Sequence, residues 1–182
     1  MHAYMDIVLE EILAGMPGIT PVEGADLLEN CVTMLHRSRH ISPTAMALTG
    51  LTSETTTLHW EDNFNDQMDR TYADHSANTE RAAVCVSVLL AKKLTDYTVI
   101  LRSRRGTGID YFLGNADDTL FQPKARLEIS GIEKEDGTNT TARRFREKAT
   151  QAKLSDNGNL PAYISIIEFS HPKALFNDKK TL

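Results

Sequence analysis

Only two cysteines occur among the 182 residues, Cys31 and Cys85. Both fall inside apolar helical patterns, so both are expected as buried thiols. No Cys or His spacing points to a zinc site, and the six histidines are scattered. No apolar run approaches the ~20 residues that a membrane helix needs, which leaves no membrane partner to expect. The first eighteen residues carry acids and no basic leader. They do not read as a secretory signal, and a cytoplasmic location is expected. The Gly-x4-Gly-Lys-Ser/Thr phosphate loop is missing, as are internal repeats and low-complexity linkers. No element reads as a base-reading recognition helix.

What is present is an ordinary globular composition, 41% hydrophobic and 25% charged. The length fits a single domain over 1–182, long enough to bury a sizeable core. The net charge of −5 hides an asymmetry. Residues 1–80 hold 13 acids against 3 bases, whereas residues 81–182 hold 12 acids against 17 bases. A basic half suits DNA or another anionic partner; it equally suits a protein partner or attraction between the two halves.

Helical spacing of Met5, Val8, Leu9, Ile12 and Leu13 predicts an amphipathic helix over 2–15. A second helix is predicted over 22–38, with Pro21 at its start. Residues 44–51 and 55–60 read as a β-hairpin, and the acidic stretch 61–78 as a helix-bearing connector or lid. Trp60 is expected to pack one end of that sheet, with base stacking as the other use of it. The segment 79–94 is apolar on nearly every side and predicts a central buried helix, capped by Ser76, Asn78 or Thr79. Strands are predicted at 98–102, 108–114, 125–131 and 161–169, and a basic helix at 140–154. The tail from Asn177 is expected to fray.

The chain is organised around 106–132, GTGIDYFLGNADDTLFQPKARLEISGI. Two strand-like runs each carry one acid, Asp110 and Glu128. Alternation places Leu127 and Ile129 toward a core and Arg126, Glu128 and Ser130 on the opposite face. An acid inside an apolar strand is costly to bury unless it is paired or binds a metal. Two acids on adjacent strands can converge, which suits Mg²⁺ held by one or two carboxylates, waters and a substrate phosphate. Glu80, in what reads as the first turn of the 79–94 helix, has two readings: a partner of the helix dipole, or a member of the metal site. Arg102, Arg104 and Arg105 sit on a glycine-bearing turn that suits phosphate. Arg143, Arg144 and Arg146 lie on the basic helix, and the two elements together suit a nucleic-acid backbone.

This order, a helix with Glu80, a strand with Asp110, a strand with Glu128, then a helix and a strand, resembles the PD-(D/E)XK nuclease superfamily. The likeness covers about residues 78–170. It implies an α/β (α+β) fold with a restriction-endonuclease-like mixed sheet core flanked by helices. Residues 1–60 would form an N-terminal extension of helices and a hairpin. The resemblance also implies Mg²⁺ (or Mn²⁺) held by Asp110, Glu128 and Glu80, and a motif lysine where this chain has Ser130. Lys148, Lys124 or a second metal would then supply the missing positive charge. The chain is similar, too, to a group of bacterial proteins with GTG-Asp-Tyr and Arg-Leu-Glu stretches, from which no activity follows.

Two functional expectations result. One is a metal-dependent nuclease acting on DNA phosphodiesters, with RNA as the lesser substrate and phage or genome defence as the setting that the superfamily suggests. Asp110, Glu128, Lys148 and Glu80 would be its catalytic residues. The other is a catalytically inactive nuclease-fold module that binds a protein partner or a second copy of itself.

Overall fold

The computed structural model describes residues 5–181. Eight strands form one mixed sheet in the order β1-β3-β2-β8-β7-β6-β5-β4. They are β1 (Asp6–Val8), β2 (Thr44–Gly50), β3 (Glu54–His59), β4 (Thr98–Arg102), β5 (Tyr111–Gly114), β6 (Ala125–Ile132), β7 (Ala162–Glu168) and β8 (Lys173–Asp178). The helices are α1 (Pro21–Arg37), α2 (Asp66–Thr71), α3 (His75–Leu94) and α4 (Thr141–Gln151). The mixed sheet covered by helices is the fold class that the sequence predicts.

The sheet separates two apolar layers. On one face α1 and α3 pack with Leu127 and Ile129 in the larger core, which also takes Cys31, Cys85 and Trp60. On the other face Phe145 and Ala149 of α4 pack with Ile132, Ile164 and Ile166. All eight residues of β6 are therefore buried, including Arg126, Glu128 and Ser130. Alternation correctly separated its two faces, but α4 covers the one that carries the polar residues. At 6% exposure Trp60 belongs to the core and offers no surface for base stacking.

Four elements differ from expectation. Strand β5 starts at Tyr111 and not at Gly108, so Asp110 lies ahead of the strand and not inside it. The predicted 2–15 helix is β1 followed by a 3-10 segment at Leu9–Ala14, with residues 2–4 outside the described chain. Parallel pairing of Asp6–Val8 with Thr57–His59 outcompetes a helix of marginal length. Strand β8 was not foreseen. It pairs antiparallel with β7 and parallel with β2, so Asn177 and Asp178 lie in the sheet and not in a frayed tail. Through β8, the 44–59 hairpin is continuous with the rest of the sheet. Finally, α3 begins at His75, one turn before the predicted start, with the Asp74 carboxylate capping the Ala77 N–H. Glu80 is thus not a first-turn residue, and the dipole reading of it falls.

Candidate functional site at the open edge of β6

Strand β5 pairs with β6 only as far as Tyr111 opposite Leu127. Beyond that point the β5-facing edge of β6 lacks a strand partner among the described residues. Asp110, just ahead of β5, continues the ladder in a different way. Its backbone N–H donates to Leu127 O at 2.9 Å, and its carboxylate Oδ2 accepts the Ile129 N–H at 2.7 Å. Two residues further along, Glu80 Oε2 accepts the Gly131 N–H at 3.1 Å. Carboxylates from two separate elements therefore replace the missing strand, as buried backbone donors require.

Glycine at 131 permits this arrangement. A Cβ there would lie 2.5 Å from the Thr79 carbonyl oxygen, so only glycine lets α3 come close enough for Glu80 to reach the strand. Glu80 Oε1 also accepts from the Ser130 hydroxyl at 3.2 Å, and Ser130 Oγ accepts from Arg144 at 3.3 Å. The position where the superfamily pattern has lysine is thus occupied by a hydroxyl joining Glu80 to Arg144.

Glu128 points toward α4. Its Oε1 accepts from Lys148 Nζ at 2.7 Å and from Gln151 Nε2 at 3.0 Å. Its Oε2 is buried and, among the described residues, has no partner other than the Asp110 carboxyl. Burial and the neighbouring Asp110 carboxylate push the Glu128 carboxyl up to about 8, against the pull of Lys148. Two acids facing each other in a desolvated site disfavour joint ionisation. Either a shared proton or a cation relieves that repulsion.

Lys148, one of the two lysines considered for the missing ammonium, is thus placed on the acid pair. Lys124 pairs its backbone N–H with Leu113 O, and no contact of its ammonium with Asp110 or Glu128 is present. Among the described residues, no group of three or more His, Cys, Asp or Glu side chains gathers closely enough to hold a metal. Glu80 stands beside the Asp110–Glu128 pair, bound to Ser130 and Gly131. Gln151 was missed, although it lies three residues after Lys148 on the same helix, a spacing that shares a face.

The basic residues divide into two sets. Arg144 turns inward to Ser130 and Asn139. Arg143 is engaged with Glu147 and the Thr138 carbonyl. Arg104, Arg105 and Arg146 are exposed. The 103–108 turn docks on the end of α4: Gly108, at φ +75°, would bring a Cβ within 2.2 Å of the Gln151 carbonyl oxygen. The basic turn and the end of α4 that carries Gln151 are therefore neighbours, as a shared surface requires.

Beside Asp110 opens a pocket of about 170 Å³, lined by Glu80, Arg81, Val84, Arg102, Tyr111 and Ile129 as well. Arg81 and Tyr111 were not singled out from the sequence, because only the packing of α3 against the open edge of β6 brings them here. Compared with family models, with curated proteins and with solved structures, the chain matches none.

Proposed function

We propose that this protein is a metal-dependent phosphodiesterase acting on DNA, with Asp110 and Glu128 as its acid pair and Lys148 as its ammonium. The observation that carries the reading is the Glu128 carboxylate. One oxygen is fixed by Lys148 and Gln151, while the other is buried against Asp110 and has no other partner among the described residues. A buried carboxylate oxygen without a donor is costly. A hard divalent cation such as Mg²⁺ or Mn²⁺ suits that oxygen together with one from Asp110. Asp110 and Glu128 would hold it. When bound, it would lower the pKa of its water and offset charge on the phosphate.

This chain's own residues do the rest. Lys148 supplies positive charge where the reacting phosphate gains negative charge. Gln151 fixes the orientation of Glu128. Glu80, Ser130 and Arg144 hold the edge of β6 in place, and Glu80 acts here as a positioning residue. Arg104, Arg105 and Arg146 are free to meet the phosphate backbone, and genome or phage defence is a setting that such an activity would suit. The second reading is a non-catalytic module that binds a protein partner or a second copy. The 1% exposure of Glu128 favours it, since a closed acid is hard for a substrate to reach.

The test is incubation of purified protein with linear and circular DNA, and with RNA, in Mg²⁺, Mn²⁺ or EDTA. Cleavage that requires the metal and is lost in both D110N and K148M is expected. Absence of cleavage in every condition, with no effect of Mg²⁺ on thermal stability, leaves the binding module.

A further inference from the structure

The pocket beside Asp110 has features that the metal pair does not need. Two guanidinium groups border it, Arg81 and Arg102. Arg81 is held by Glu23 at 2.9 Å and by Asp26. Arg102 lies only 3.8 Å from Glu23 and its side chain is 68% exposed, so most of its donors are unused. Tyr111 is 3% exposed. Its hydroxyl has no hydrogen-bond partner among the described residues. The side chain lines this pocket and also an adjoining one formed by Gly18, Ile19, Thr20, Glu23 and Arg102.

A pocket of about 170 Å³ lies below the ~300 Å³ at which pockets begin to enclose a whole organic ligand. It accommodates one compact group. Guanidinium forks and a phenol hydroxyl match the oxygens of a phosphate. Arg81 is already offset by Glu23 and Asp26, so once Asp110 is neutralised by a cation the pocket wall keeps Arg102, with most of its donors unused, opposite Glu80. A phosphomonoester offers three free oxygens and up to two charges, whereas an internal diester offers two oxygens and one charge.

We propose that this pocket is a subsite for the terminal phosphomonoester of a nucleic-acid strand, making the protein selective for phosphate-bearing ends. The assignment rests on the phosphodiesterase reading, because it places the bound end next to the acid pair. Arg102 is the principal contact, Tyr111 a hydroxyl contact, and Arg81 a charge held ready by Glu23 and Asp26. At about 170 Å³ the pocket takes one phosphate and not the flanking nucleotides of a continuing strand. The bound group is therefore an end and not the middle of a chain.

The experiment is fluorescence anisotropy of internally labelled single-stranded oligonucleotides with the wild-type protein in Ca²⁺ at low salt, the probes being confirmed intact on a denaturing gel. Three otherwise identical probes carry a 5′-phosphate, a 3′-phosphate or hydroxyls at both ends. Hydrogen bonds to charged groups contribute enough for a preference of roughly tenfold for one phosphorylated end. That preference should disappear in R102A, fall in Y111F and partly return in R102K. Equal binding of all three probes, or a preference that survives R102A, overturns the subsite. The preferred probe tells which end is read. Since no cleavage is involved, end preference without any metal-dependent cleavage sinks the phosphodiesterase reading and keeps the subsite. Cleavage without end preference does the reverse.

Discussion

Lys148 Nζ lies 2.7 Å from Glu128 Oε1, across the interface between α4 and the sheet. Glu128 is 1% exposed, so this ammonium is the nearest compensation for a buried acid. Lys148→Met should leave that acid without its cation. Glu128 can respond by taking a proton, so the cost should be about 1–3 kcal/mol and not the full cost of an unpaired buried charge. Denaturant unfolding measures it. The same variant should lose any metal-dependent cleavage, and a K148M protein that cleaves like wild type would remove Lys148 from the chemistry.

The pH dependence of stability follows from Glu128. Its carboxyl titrates at about 8 in the fold against an ordinary value of 4.5. The fold thus favours its protonated form. That contribution is complete below pH 4.5 and is lost as pH rises through about 8. In EDTA the melting temperature should fall across this window, and Glu128→Gln should flatten the fall. A wild-type curve no steeper than that of E128Q would show that Glu128 keeps an ordinary pKa.

Added Mg²⁺ should oppose that loss. A ligand at about 100 times its Kd stabilises the native state by ~2.7 kcal/mol. For a chain of this size each kcal/mol moves the melting temperature by roughly 2–4 °C. The shift should vanish in Asp110→Asn. Calorimetric titration provides the second readout, and equal shifts in wild type and D110N would place the cation elsewhere.

Glu80 offers a test of positioning against ligation. Glu80→Ala leaves the Gly131 N–H and the Ser130 hydroxyl without their acceptor, at a cost of about 1–3 kcal/mol. Glu80→Gln keeps an acceptor and should cost much less. If E80Q retains the Mg²⁺ shift, Glu80 positions the strand edge. If E80Q abolishes the shift while remaining folded, Glu80 is itself a ligand.

The DNA surface should be probed at the exposed arginines. Arg144 holds Ser130 and Asn139, so reversing it would disturb the site as well as the surface. Neutralising Arg104 and Arg105 should weaken duplex binding uniformly across sequences. It should also reduce the slope of log affinity against log salt by roughly 2. No change in that slope would mean that the basic turn does not touch phosphate.

Ser130→Lys, which restores the superfamily's lysine in sequence, should not restore its function. Ser130 is fully buried between Glu80 and Arg144. A lysine there overpacks the site and sets its charge against Arg144, with an expected cost of about 1–3 kcal/mol. A variant as stable as wild type would show that the edge of β6 can open.

The sequence by itself determined the elements with strong local signals. Pro21 at the first turn and the Leu27, Leu28, Cys31, Leu35 stripe specify α1; Thr20 caps it. Strands β4, β6 and β7 are legible because their apolar runs are short and bounded by turn residues. The acids were legible too, since Glu128 interrupts an apolar strand where burial demands a partner and Asp110 directly precedes another. Tertiary structure decided what no local pattern encodes. Whether Asp6–Val8 is strand or helix depends on β3, fifty residues away. The place of β8 depends on two partners, β2 and β7. The ammonium beside Glu128 comes from α4, because a charge can reach a buried carboxylate from any element that packs over it. The early end of β5 leaves two backbone donors unpaired, and Asp110 and Glu80 must satisfy them. That requirement, set by the length of a neighbouring strand, brings the acids together beside a pocket.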